Sequence, residues 1–292
     1  MIYNPFPRWL SKISKLPLII EVNGNRLLSV NKREKRYHKI YRDQSNNFNI
    51  AKLIVTSTPY LRTHISKSYM IPNNKIIFLI NGVEESNLDS PYISDDDLEY
   101  LKDKFCLGFL GTIWKCYDLY STIMSLYLLK KEIKNIHLLF IGDGPDKSYI
   151  QKLVSKLNLH NNITITGFIN PSVLKHYLKY INIGLMNLTK KGVMNGGPIT
   201  TRFGSYAINK IPIIASDFMI DEYPIEIKNN IFLVPPENPK KLAYKILYIF
   251  KNYDEAQQKA ENLYKYVVKE LTWEKVTRKI LSKIEDILKE EV

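Results

Sequence analysis

Short apolar runs alternate with helix-period segments along the whole chain. In the first part, runs at Leu18–Val22, Leu53–Ser57 and Ile76–Ile80 are rich in Ile, Leu and Val. Such runs predict short parallel strands buried on both faces. The rhythm restarts at Phe105–Gly111 and continues through Ile136–Ile141, Ile163–Thr166, Ile183–Met186, Ile211–Ala215 and Ile231–Val234. Helical periods fall between them, as at Tyr117–Lys131 and Lys147–Leu157. Pro239 stands where proline favours the first turn of a helix. In Trp273–Leu288, apolar residues at 273, 276, 280, 281, 284, 287 and 288 mark one face of a long amphipathic helix. Strand and helix in alternation predict an α/β protein with parallel sheets.

Asn81-Gly82 closes the third run, and a polar, acidic stretch follows it. This predicts a first domain over 1–84, a linker over 85–104, a second domain over 105–272 and a C-terminal helix over 273–292 that packs back on the first domain. The first domain is an incomplete one. Three strands leave an edge to be covered, and no glycine-rich turn follows an early strand. Either another element covers that edge or coding sequence lies upstream.

Composition narrows the function classes. The chain has 292 residues, 45% of them hydrophobic, which is enough for two ordered domains. Its two cysteines form neither a metal spacing nor a disulfide framework, so a reducing compartment is expected. No apolar run approaches a membrane span, and Met1 to Val22 lacks the order of a secretory signal. The chain is therefore expected in the cytoplasm or at the inner face of a membrane. The net charge is +13, and residues 1–83 hold fourteen Lys/Arg against three Asp/Glu. Lys32, Arg33, Lys35, Arg36, Lys39 and Arg42 form the densest cluster. That patch is either a solvated basic face or a surface for anionic lipid or a phosphorylated acceptor. No nucleic-acid-binding signature accompanies it, so no nucleic-acid partner is expected.

Four stretches carry chemistry. In Phe109-Leu-Gly-Thr-Ile-Trp-Lys-Cys-Tyr-Asp118 a strand ends at Gly111-Thr112, and Lys115 precedes a helix. Amides, a hydroxyl and an ammonium at a helix start suit a diphosphate. In Phe140-Ile-Gly-Asp-Gly-Pro145, glycines after a strand let backbone approach a ligand, and Pro145 suits a first helical turn. Ile165-Thr-Gly-Phe-Ile-Asn170 is a third strand end. The fourth stretch is Pro198-Ile-Thr-Thr-Arg-Phe-Gly-Ser-Tyr-Ala-Ile-Asn-Lys-Ile-Pro-Ile-Ile-Ala-Ser-Asp217. No Asp or Glu occurs from Lys147 to Ser216, against nine Lys/Arg. The excess positive charge favours an anionic ligand.

In this order the four stretches resemble the C-terminal domain of the GT-B glycosyltransferases of family 4, also called group 1. Leu233-Val-Pro-Pro-Glu-Asn-Pro-Lys-Lys-Leu-Ala243, Thr272-Trp-Glu-Lys275, Pro17-Leu-Ile-Ile-Glu-Val-Asn23 and Asn81-Gly-Val83 extend the resemblance over nearly the whole chain. It implies two Rossmann-like domains, the N-terminal one incomplete. It also implies transfer of a sugar from a nucleoside-diphosphate sugar to a glycan or lipid-linked acceptor with retention, in surface polysaccharide synthesis. The nucleotide sugar is then a co-substrate, and neither cofactor nor metal is implied. Carried over by position, Lys115 and Arg202 are the catalytic cations. Gly111 and Thr112 face the diphosphate, Gly142, Asp143 and Gly144 line the floor, and Phe168 and Ile169 lie against the base.

The chain departs from the family pattern. Ser205 stands where a glutamate accepts bonds from the donor ribose, and Gly197 where a second glutamate meets the sugar. A neutral hydroxyl is a weaker partner than a carboxylate by roughly 1 kcal/mol. The Gly111–Lys115 loop is about two residues short, and Cys116 replaces a glycine. The early glycine-rich loop and the histidine of the N-terminal domain have no counterpart, and surface or core roles are expected for all five histidines. These departures motivate a second reading: an impaired glycosyltransferase-like subunit or remnant that binds glycan, nucleotide or a membrane surface.

Overall fold

The computed structural model describes residues 6–24, 27, 32–84 and 95–290. Two compact units emerge. The first comprises Met1–Gly82, Met194–Gly197 and Trp273–Val292, and the second Val83–Val193 and Pro198–Thr272. Half of the stretch expected as a linker over 85–104, residues 85–94, lies outside the described residues.

The first unit contains a parallel sheet in the order β1 (Ile19–Val22), β2 (Leu53–Thr56), β3 (Ile76–Phe78). All four residues of β2 are buried. Helices α1 (Phe6–Ser14), α2 (Lys35–Ile50) and α3 (Pro59–Tyr69) accompany it. The Thr58 hydroxyl caps α3 by accepting from the Leu61 amide, Pro59 takes the first position, and Met70 ends the helix in the left-handed region. The core joins Phe48, Ile54, Leu61, Ile65 and Tyr69. The Tyr69 hydroxyl donates to Gln44 at 2.7 Å, and this pairing lets both polar groups stay buried.

The second unit is built on six parallel strands: β4 (Phe105–Leu110), β5 (Ile136–Ile141), β6 (Ile163–Ile165), β7 (Ile181–Met186), β8 (Ile213–Ser216) and β9 (Phe232–Val234). Their spatial order is β6-β5-β4-β7-β8-β9. The direction of strand addition reverses between β4 and β7. In open α/β sheets, ligands bind in the crevice beyond the strand ends at such a reversal. Every residue of β4 and β5 is buried, which explains their unbroken apolar runs.

Helices α4 (Leu119–Leu129), α5 (Lys147–Lys156), α6 (Leu174–Leu178), α7 (Lys190–Gly196), α8 (Arg202–Ile208), α9 (Ile225–Asn230), α10 (Pro239–Lys251) and α11 (Tyr253–Glu270) follow in chain order. The C-terminal helix α12 (Trp273–Glu290) groups with the first unit.

The predicted elements recur with small shifts, each with a local cause. The strand expected at Ile183 begins at Ile181, because the Asn182 side chain accepts the Cys106 amide at 2.7 Å beside a register shift in the ladder. The strand expected at Ile211 begins at Ile213, because the Ile211 amide bonds back to Tyr206 and Pro212 has no N–H to give. Pro145 does not enter the first turn of α5. It lies in the turn before Asp146, which is the N-cap. Cys106 is fully buried on β4, as expected of a core residue.

Two glycines set how closely α8 and the strands approach. A Cβ on Gly184 would meet the Tyr206 ring, and one on Gly108 would meet the Ile181 side chain. The Tyr206 hydroxyl reaches across and donates to the Gly108 carbonyl at 2.8 Å. This clamps α8 to the centre of the sheet.

His137 on β5 is 5% exposed, and its Nε2 lies 2.9 Å from the Thr164 hydroxyl. Burial first, then the nearby Lys104 ammonium, push its pKa down to about 4. The unfolded chain takes up that proton near pH 6.5. This contribution to stability is therefore complete above pH 6.5 and is lost as pH falls to about 4. The loss is expected to reach about 3 kcal/mol in urea denaturation followed across that window, and His137→Gln is expected to flatten the profile.

Candidate functional site

The loops after β4, β5 and β6 meet at the strand ends of the second unit. The Gly111 amide donates to Ile141, the Ile113 amide to Asp143 and the Asp146 amide to Ile113. Gly142 and Gly167 form an antiparallel bridge. These contacts need bare backbone. A Cβ on Gly142 would collide with the Gly111 carbonyl, and one on Gly144 with the Ile113 backbone. Gly111 and Gly142 also hold φ of 104° and 145°, which disfavour any side chain.

Loops also knit across the reversal point. Tyr117 bridges Leu188, the Asp118 amide donates to Asn187, and the Thr189 amide and hydroxyl both donate to the Cys116 carbonyl. The β4 loop is thereby held over the crevice between β4 and β7.

Arg202 opens α8 and is 6% exposed. Its guanidinium carbon lies 4.4 Å from the Phe109 ring centre and 4.1 Å from that of Tyr117. The two rings meet edge to face at 5.3 Å. Cation–π contact offsets part of the cost of burying the charge, but rings accept no hydrogen bond along the guanidinium plane. Nη1 is buried without a hydrogen-bond partner, and Nη2 lies 3.7 Å from where a Gly111 Cβ would be. A buried guanidinium with an unpartnered N–H leaves a polar group uncompensated beside the glycine turn. Neighbouring Cys116 is half-buried, and its thiol is pushed up by burial and pulled down by Arg202.

The other predicted site residues take separate places in the structure. Thr112 is exposed on the β4 loop. Asp143 pairs with Lys147 at 2.8 Å, and the Lys147 and Gly144 bonds hold its carboxyl below the usual range. Its Oδ2 faces Gly167. Phe168 is 85% exposed, so its ring is open for stacking, and Ile169 is half-buried beside it. Ser205 is half-buried one turn beyond Arg202 on the same face of α8. Gly197 follows α7 with φ of 76° and groups with the first unit. Lys115 is exposed and takes a different position: its amide donates to Asp146 at 2.8 Å, and it lines a cleft at the starts of α4 and α5. Tyr117 borders both that cleft and Arg202.

Sequence reasoning found Arg202 but not the aromatic pair that encloses it. It also missed Asp118, which caps α4 through the Ser121 amide and accepts the Glu237 amide at 2.7 Å. An Asp before an apolar run is a legible cap signal. A partner 119 residues away is not. Among the described residues, no group of three or more His, Cys, Asp or Glu could hold a metal ion.

The family described as glycosyl transferases group 1 matches residues 96–267. The chain belongs to this family. An uncharacterized glycosyltransferase of Methanocaldococcus jannaschii is 26% identical over 176 residues. That stretch is 58% of this group 1 chain and 41% of the relative, so the chain spans less than half of the relative's length.

Two solved structures share the fold. Anabaena HepE, crystallised with UDP, superposes with a TM-score of 0.76 at 14% identity, over 94% of this chain and 74% of HepE. The sucrose-phosphate synthase of Thermosynechococcus elongatus superposes with a TM-score of 0.73 at 14% identity, over 96% of this chain and 71% of the other. The fold is the GT-B type with Rossmann-like domains.

Replacing Arg202 by Met is expected to leave the ligand-free group 1 chain within about 1 kcal/mol of the original stability, because an unpaired buried charge is removed together with its ring contacts. The same change is expected to abolish stabilisation by inorganic pyrophosphate, about 2.7 kcal/mol at a hundredfold excess over Kd. Thermal melts of both proteins with and without pyrophosphate check both halves.

Proposed function

We propose that the chain transfers a sugar from a nucleoside-diphosphate sugar to a hydroxyl of a glycan or lipid-linked acceptor, with retention, in the synthesis of a surface polysaccharide. The observation that carries this reading is the buried Arg202 guanidinium beside the Gly111 turn, whose Nη1 has no hydrogen-bond partner. In the reaction the bond from the sugar C1 to the β-phosphate oxygen breaks, and a bond from C1 to the acceptor oxygen forms. The acceptor proton leaves with the diphosphate or to solvent.

The diphosphate leaves with one more negative charge than it carried as a glycosyl ester. A fixed cation in a water-poor site favours that charge most when it develops, and this lowers the barrier. Arg202 serves as that cation, with Thr112 and the Gly111 turn along the phosphates. Gly142, Asp143 and Gly144 form the floor, and Phe168 with Ile169 holds the base. Ser205 completes the donor site in this proposal, bonding a ribose hydroxyl. HepE in complex with UDP-glucose makes UDP and UDP-glucose the first ligands to try.

Incubation with a panel of UDP- and GDP-sugars, read by release of the nucleoside diphosphate, is expected to show hydrolysis or transfer with at least one donor. Arg202→Met is expected to remove it. A folded sample inert to every donor returns the chain to the second reading, a binding protein without turnover. Ser205→Glu is expected to tighten UDP about fivefold in calorimetry, as a charged acceptor replaces a neutral one. Weaker binding would mean that the serine belongs to a reshaped pocket.

Attachment to the cytoplasmic face of a membrane is part of the proposal, and α1 supports it. Phe6, Trp9, Leu10 and Ile13 form one face of this helix and are each 48–61% exposed. Arg8, Lys12 and Lys15 accompany them, and the exposed Lys35, Arg36, Lys39 and Arg42 on α2 add positive charge. An amphipathic basic helix suits an anionic bilayer surface. Among the described residues no helix is long and apolar enough to cross a membrane. Flotation with phosphatidylglycerol vesicles is expected to carry the protein at low salt, and Trp9→Ala with Ile13→Ala to leave it unbound. Equal flotation with neutral vesicles would remove the electrostatic half of the proposal.

A further inference from the structure

A cavity in the second unit has a lining that does not include Arg202. It has a volume of about 320 Å³ and opens at the starts of α4 and α5. Its walls combine the rings of Tyr117, Tyr120 and Tyr149 with the carboxylates of Asp118, Asp146 and Glu237. Tyr120 and Tyr149 are 50% and 44% exposed, so ring surface is open to a ligand. The carboxylates are held in place. Asp118 accepts from the Ser121 and Glu237 amides, Asp146 accepts from the Lys115 amide, and Glu237 accepts from the Lys190 amide at 3.4 Å. Burial, then Tyr120 and Asp118, push the Tyr149 hydroxyl up, in keeping with all three facing one space.

The chemistry of these walls selects a ligand class. Three carboxylates against one Lys115 ammonium disfavour an anion, in contrast to the Arg202 site. Fixed carboxylate oxygens accept O–H donors, and tyrosines present flat apolar rings with a hydroxyl at the tip. The volume falls at the lower end of small-molecule sites. A neutral saccharide matches each property: many hydroxyls, no charge, and an apolar C–H face for a ring.

We infer that the cleft bordered by Tyr117, Tyr120, Tyr149, Asp146 and Glu237 binds a neutral hexose unit, separately from the nucleotide. Tyr117 forms the wall between the two, with Arg202 against its ring. The ligand is either a free monosaccharide or a sugar of a longer glycan. Binding is read without turnover, so its failure is distinct from failure of the transferase reading.

The test is saturation-transfer NMR on the full chain with glucose, galactose, mannose, maltose, cellobiose and lactose, each at millimolar concentration. Transfer to at least one sugar is expected, unaffected by excess pyrophosphate. Preference for a disaccharide identifies a glycan, and equal binding of its monosaccharide identifies the free sugar. Tyr120→Ala and Tyr149→Ala are each expected to weaken binding about tenfold, and Tyr149→Phe to retain most of it, since the ring supplies the contact. Retained pyrophosphate stabilisation in each variant reports that the unit is folded. The inference is overturned if no sugar in the panel binds, if pyrophosphate displaces the sugar, or if both alanine variants bind as the original protein does.

Discussion

The buried guanidinium of Arg202 is the constraint on which the second unit turns. A charge in that position is costly unless something compensates it. Phe109 and Tyr117 supply ring faces, and Tyr206, one turn along α8, anchors the helix to the Gly108 carbonyl. Gly184 must lack a side chain for Tyr206 to reach that far. Two glycines, two aromatic rings, one tyrosine hydroxyl and the tight β4 turn therefore share one purpose. They hold a buried cation at the strand ends with one nitrogen unpartnered.

The same crevice explains the loop pairing around it. The sheet reverses its order between β4 and β7, so their loops diverge and leave a gap. Here Tyr117, Cys116 and Asp118 stitch to Asn187, Leu188 and Thr189. This turns a gap into a shaped pocket wall. Tyr117 then has two environments, Arg202 at its ring and the tyrosine-lined cleft. The buried guanidinium and the acid-lined cleft are neighbours that share the Tyr117 ring.

The acid-free span from Lys147 to Ser216 acquires a structural meaning in this setting. It contributes α5, β6, α6, β7, α7, α8 and β8, and so Arg202 itself. A carboxylate beside Arg202 would satisfy the guanidinium internally. Ser205, one turn from Arg202, keeps a hydroxyl without that competition. Three acidic groups of this edge, Asp118, Asp146 and Glu237, come from outside the span and gather at the cleft that Tyr117 borders.

Local patterns were enough for the strand and helix alternation and for the glycine turns after β4, β5 and β6. Each rests on neighbours in the chain: side-chain period or a positive φ. Strand ends near Ile181 and Ile213 were not legible, because a distant ladder partner and a backbone bond into α8 decided them. The ring pair around Arg202, the Asp118–Glu237 bond and the placing of Lys115 with Asp146 and Tyr149 join residues from separate strands. By itself the sequence determined the fold class, the family resemblance and which strands end in glycine turns, since these depend on local period and backbone freedom. Only the tertiary structure decided which charges face which side of Tyr117, because burial and pairing are properties of assembled elements.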